Sequence, residues 1–120
     1  MDPITRVGPS PYSNTRSRIV VNQGVATTVA TATVKTNSVY EQGRDAFSNI
    51  DTYLGEVGAT KSEVLFVTVY LANIKDKPEF NRAWDEWVDK ENLPLRACVG
   101  VGLEEDDLVE LVVTAAVPKR

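Results

Sequence analysis

The chain has 120 residues, 42% of them hydrophobic and 25% charged, and a formal net charge of -4. That is one domain, long enough to bury a core without disulfide or metal staples, and short enough that assembly would add much of its buried surface. A single cysteine excludes an intrachain disulfide; the absence of histidine excludes Ser-His-Asp and Cys-His catalysis and leaves no ligand set for structural zinc; scattered Lys and Arg on an acidic chain argue against a nucleic-acid partner.

No apolar run approaches the ~20 residues of a membrane span, and Met1–Gly8 lacks the charged-then-apolar pattern of a signal peptide. A cytoplasmic protein without a membrane partner is expected. Residues 1–17 hold Pro3, Pro9, Pro11 and Gly8 and read as an irregular segment. Ser17–Ala26 is β-branched and reads as a strand. Thr27–Val34 fits either a further strand or a loop covering the sheet. Ser38 and Glu41 form a capping-box pattern. Val39, Ala46, Ile50, Leu54 and Val57 then recur near helical spacing until Gly58, which predicts a helix over 38–57.

Glu63–Ala72 is a strand whose unbroken apolar run suggests burial on both faces. Asp76 and Pro78 open a second helix, with Phe80, Ala83, Trp84, Trp87 and Val88 as one apolar stripe. The Trp pair reads as core. Pro94 enforces extension into a strand over 95–103. An acidic turn, Glu104–Asp107, leads to a last strand over 108–117. Two amphipathic helices cover only one face of a sheet, so a second copy of the chain is one way to cover the other.

Three side chains stand out chemically. Alternation puts Arg96 and Cys98 on one face of their strand. A planar guanidinium there can hold a carboxylate through two parallel hydrogen bonds, or serve as a structural ion pair. Cys98 by default is a small buried hydrophobe. Glu110 interrupts the apolar run 108–113, where a carboxylate is unusual unless it is paired, faces water or works on a bound water.

Pro94-Leu95-Arg96-Ala97-Cys98-Val99, followed by Leu103, the acidic turn and Val109-Glu110-Leu111, resembles the signature of the RidA/YjgF family. Phe80-Asn81-Arg82-Ala83-Trp84-Asp85-Glu86-Trp87 resembles the family's second helix, and its tryptophans look closer to the YoaB-like branch than to RidA itself. Asn49-Ile50-Asp51 with Gly58 fits the family's first helix, and Ile19–Gly24 fits its early strand, which ends in Ser/Thr-Gly. The resemblance implies an α+β, chorismate-mutase-like fold of the bacillus type: a mixed β-sheet with two helices on one face, assembled as a homotrimer with clefts between subunits.

It also implies an enamine/imine deaminase that hydrolyses 2-imino and 2-enamino acids to 2-keto acids and ammonia, with no cofactor and no metal. Arg96 would anchor the substrate carboxylate and Cys98 line the pocket. Glu110 would orient or activate water. Tyr12, in Gly8-Pro9-Ser10-Pro11-Tyr12, would border the pocket. Gly24 would offer a backbone group, and Asn81 matches a family asparagine with capping or surface contact as its plain alternative. The rivals are a non-catalytic small-carboxylate-binding or chaperone-like regulator and a ribonuclease. If the last two strands form an antiparallel hairpin turning at Glu104–Asp107, Glu110 falls opposite roughly Val101. That is ~17 Å along the strand from Arg96, so the two are expected to meet across a subunit boundary.

Overall fold

The computed structural model describes residues 3–119. Six strands and two helices follow in the order β1 (Thr5–Val7), β2 (Ile19–Asn22), β3 (Val25–Thr31), α1 (Val39–Glu56), β4 (Val64–Leu71), α2 (Lys77–Trp87), β5 (Leu95–Gly100) and β6 (Val109–Ala116). They form one mixed sheet in the order β1-β2-β3-β6-β4-β5, in which β4 and β5 run parallel and all other neighbours antiparallel.

Three expectations need correction. Ser17–Ala26 is two strands, because Gln23 and Gly24 turn the chain with φ of 51° and 77°. Two successive positive φ values match the right-handed twist of the flanking strands, which is why a two-residue hairpin forms at Asn22–Val25. The irregular segment 1–17 contains the short β1. Of the two alternatives for Thr27–Val34, strand holds as far as Thr31. Third, β5 and β6 are not a hairpin. β4, α2 and β5 form a strand–helix–strand crossover that lays β5 parallel beside β4, and the chain then passes over β4 to place β6 on its other side.

Alternation decides what each face carries. Ala26, Thr28 and Ala30 of β3, Val67, Val69 and Leu71 of β4, and Val109, Leu111, Val113 and Ala115 of β6 are buried. All of these but Ala26 and Thr28 pack in one core under the helices with Ala46, Phe47, Ile50, Leu54, Phe80, Ala83 and Trp87. Phe47 stacks on Trp87 with ring centroids 4.3 Å apart, and each such buried large side chain contributes about 2 kcal/mol. The opposite face has no covering layer among the described residues. It presents Val25, Val29, Phe66, Leu95 and Val99, all exposed.

The helix ends follow their local chemistry. The Ser38 hydroxyl accepts from the Glu41 N–H, but the Ser38 N–H goes to Thr36 Oγ1, so only half of the expected capping box is present. Gly58 ends α1 with φ of 78°, and Ala59 N–H closes back on Leu54. Asp76 makes no capping hydrogen bond with its side chain, while Pro78 sits in the first turn of α2, where its missing N–H is harmless.

Candidate functional site

The candidate residues fall into two groups. The first lies on the helix side of β5. Arg96 is level with Val67 and Cys98 with Val69, so both side chains turn toward α2. Arg96 Nη1 donates to Asn81 Oδ1 at 2.8 Å, and the guanidinium lies 5.0 Å from the Trp84 ring centroid. Asn81 therefore orients the arginine instead of capping α2. The fork keeps further N–H groups for a ligand. The Trp pair divides its work: Trp87 is buried and donates to Asp51 at 2.9 Å, while Trp84 is half-buried and forms a platform under Arg96.

The second group lies on the uncovered face. Glu110 is paired in register with Thr31 on one side and Tyr70 on the other. Thr31 Oγ1 donates to Tyr12 Oη at 3.0 Å, which brings the loop after β1 over this end of the sheet. Lys35 pairs with Asp107 at 2.5 Å and also donates to the Ala32 carbonyl. Burial pushes the Glu110 carboxyl above the ordinary carboxylate range, with the charges of Asp107 and Glu104 adding and Arg16 opposing.

The two groups do not meet within one chain. β4 lies between β5 and β6, and Arg96 and Glu110 are level with Val67 and Tyr70. Two strand spacings of ~4.8 Å and a three-residue offset of ~10 Å put their Cα atoms ~14 Å apart. Their side chains, moreover, leave opposite faces of the sheet. Gly24 joins neither group. It sits at the tip of the β2–β3 hairpin, beside the Ala116 end, and its carbonyl accepts from Val117 N–H at 2.8 Å. Seven residues of β3, ~24 Å, separate it from Thr31. The end of β3 that borders Glu110 is Thr31-Ala32, not Gln23-Gly24.

Sequence reasoning missed three residues. Thr31 and Lys35 carried no pattern to single them out. Gln42 did: it is a polar residue on the buried stripe of α1, between Val39 and Ala46. It is fully buried, and its amide donates to the Thr36 and Asp106 carbonyls at 2.8 and 2.9 Å while accepting from Leu108 N–H at 3.0 Å. It thereby fixes the turn that carries Asp107 beside Glu110. No helix among the described residues is long and apolar enough to cross a membrane.

Comparison with known proteins covers almost the whole chain. Residues 8–117 match the family model described as endoribonuclease L-PSP. A RutC family protein of Haemophilus ducreyi is 39% identical over 116 residues, spanning 95% of this chain and 97% of that one. The RutC family protein YoaB of Escherichia coli is 37% identical over 79 residues, 65% of this chain and 69% of that one. Among solved structures, a YjgF-family protein of Neisseria meningitidis superposes with a TM-score of 0.89 at 30% identity, covering 98% of both chains.

Proposed function

The chain belongs to the RidA/YjgF family, on the side of its YoaB-like members, and from that premise we propose that it hydrolyses 2-imino acids at a site completed by a neighbouring copy in a homotrimer. The observation that carries this reading is the pair of half-sites on opposite faces of one sheet. One is a guanidinium on a platform at the edge strand β5. The other is a partly buried carboxylate on the uncovered face.

In this reading Arg96 takes the substrate carboxylate through two N–H groups, with Asn81 and Trp84 setting its plane. Cys98 lines the same wall. Glu110 of the adjoining copy takes a proton from water as the oxygen adds to the imine carbon, which is already electrophilic. The carbinolamine then expels ammonia and leaves a 2-keto acid: imine plus water gives ketone plus ammonia. A carboxyl held above its usual range suits this exchange, since it takes and returns a proton nearer neutrality. Positioning and electrostatics suffice because the uncatalysed reaction is already fast.

The test is an amino-acid oxidase assay in which imines form in situ and keto acid or ammonia release is followed. Acceleration by the wild type and its loss in Arg96→Ala are expected. Binding of a 2-keto acid without any acceleration would instead support a small-carboxylate-binding protein. The family model's description gives ribonuclease as a second reading, which the acidic charge and absent imidazole oppose. Any RNA cleavage is therefore expected to come from contamination; cleavage that survives stringent purification and disappears in Arg96→Ala would overturn that expectation and favour the ribonuclease reading.

A further inference from the structure

Lys35, Thr31 and Tyr12 form a line of hydrogen-bonding groups that imine hydrolysis as drawn above does not use. Lys35 lies between β3 and α1. Its ammonium is fixed by the Asp107 carboxylate and the Ala32 carbonyl, and reaches Thr31 Oγ1 at 3.4 Å. Thr31 Oγ1 donates onward to Tyr12 Oη at 3.0 Å.

An ammonium carries donors only, so the Thr31 oxygen accepts at that end, and its hydroxyl donates to Tyr12 Oη. The Tyr12 oxygen is thus an acceptor, and its own phenolic proton has no acceptor among the described residues. Tyr12 is 55% exposed and Lys35 is exposed as well, whereas Thr31 is 9% exposed, so the line has a sheltered middle and an open end at Tyr12. That end lies beside Glu110, because Thr31 and Glu110 are a direct cross-strand pair, whose Cβ atoms stand ~5 Å apart.

We propose that Lys35 and Thr31 are positioning residues that aim the Tyr12 hydroxyl as a hydrogen-bond donor at the substrate's reacting nitrogen, next to the water that Glu110 activates. The proposal rests on the hydrolytic reading and adds the second partner that reading lacks, a donor for the nitrogen that leaves. Accepting a bond from Thr31 polarises the phenol and strengthens the bond it gives. The Lys35 link, at 3.4 Å, is the weaker one, and so Lys35 should matter less than Thr31.

Thr31→Val keeps the β-branched shape that a strand favours and removes the hydroxyl. It should lower kcat about tenfold with KM changed less than about twofold, while Thr31→Ser stays within about threefold of wild type and Lys35→Met loses about threefold. In a Tyr12→Phe background, neither Thr31→Val nor Lys35→Met should lower kcat further, because the end of the line is already gone. Effects that multiply in that background, or a Thr31→Ser protein as impaired as Thr31→Val, would overturn the proposal.

A second measurement does not depend on turnover. With tyrosine labelled with 13C at Cζ, the Tyr12 resonance, assigned by Tyr12→Phe, should move in Thr31→Val. An unmoved resonance refutes the line whatever the kinetics. A moved resonance in a protein that accelerates no imine would leave the line standing and remove the hydrolytic reading.

Discussion

Arg96→Ala and Glu110→Gln each remove one half of the proposed site, and the fold sets what happens when the two proteins are mixed. The paired residues are ~14 Å apart at Cα and point to opposite faces of the sheet, beyond what an arginine side chain can span while also holding a substrate. In the proposed cyclic trimer each site would take Arg96 from one copy and Glu110 from the next. After dissociation and random reassembly at equal amounts, the first copy carries an intact Arg96 half of the time, and the second an intact Glu110 half of the time. About one quarter of the sites are therefore whole, and about one quarter of wild-type imine hydrolysis should return. The assay is keto acid release, with mixed trimers verified by native mass spectrometry. Two inactive single variants whose verified mixed trimers show no recovery would refute the shared site, and light scattering at the monomer mass would refute it earlier.

Gln42→Leu strands the Leu108 N–H and two carbonyls inside the protein and should cost about 2 kcal/mol, or ~8 °C in Tm, with urea and thermal unfolding as the readout; a change below about 0.5 kcal/mol would contradict the bonding described. The Glu110 carboxyl sits above its usual range mainly through burial, so the folded chain holds this proton more tightly than the unfolded chain. The stability it contributes is complete below the unfolded carboxylate value and is lost as pH rises through the folded one. Glu110→Gln should accordingly be more stable than wild type at neutral pH, with the gap closing near pH ~4; a gap that does not change with pH speaks against it. Asp89 has the opposite sign: hydrogen bonds from Ser62, Asn92 and the Glu91 N–H hold it at about 2, so its contribution is present above the unfolded value and is lost as pH falls through that point. Titration of its carboxyl carbon by NMR should give that midpoint, and Ser62→Ala should raise it.

Periodicity made both helices legible to within a residue or two, because an apolar stripe and a Gly or Pro boundary are local signals. Local signals also gave the strand content of 63–72 and 108–117. What local signals do not carry is which strand lies beside which. The acidic turn before β6 looks like a hairpin from the residues alone, yet the βαβ crossover through α2 takes β5 to the edge and leaves β4 for β6. The separation of Arg96 and Glu110 was anticipated from a register that the chain does not have; they are apart because a strand intervenes and because their faces differ. Arg96 and Cys98 were legible as sharing a face because the strand carrying them is regular, whereas Asn81 entered only through the family resemblance and its bond to Arg96 is a finding of the structure. Gly24 was misplaced for the same reason that the β2–β3 hairpin was missed: Asn22-Gln23-Gly24 was taken as the end of a strand, although it is the turn between two.

Trp84 and Trp87 differ in a way that gives this chain an optical gauge. Both indoles absorb and emit in the same range, but Trp87 is sealed between Phe47 and Asp51, whereas Trp84 is open to solvent on one side and faces a cation. A carboxylate arriving at Arg96 neutralises that cation's field across the Trp84 ring and sheds water from it, while Trp87, buried with its ring centroid 5.8 Å from that of Trp84, feels a weaker change of field and no change of hydration. Intrinsic fluorescence should thus report occupancy of the arginine with no label or coupled enzyme, and Trp84→Phe should silence it without blinding the tryptophan that monitors folding.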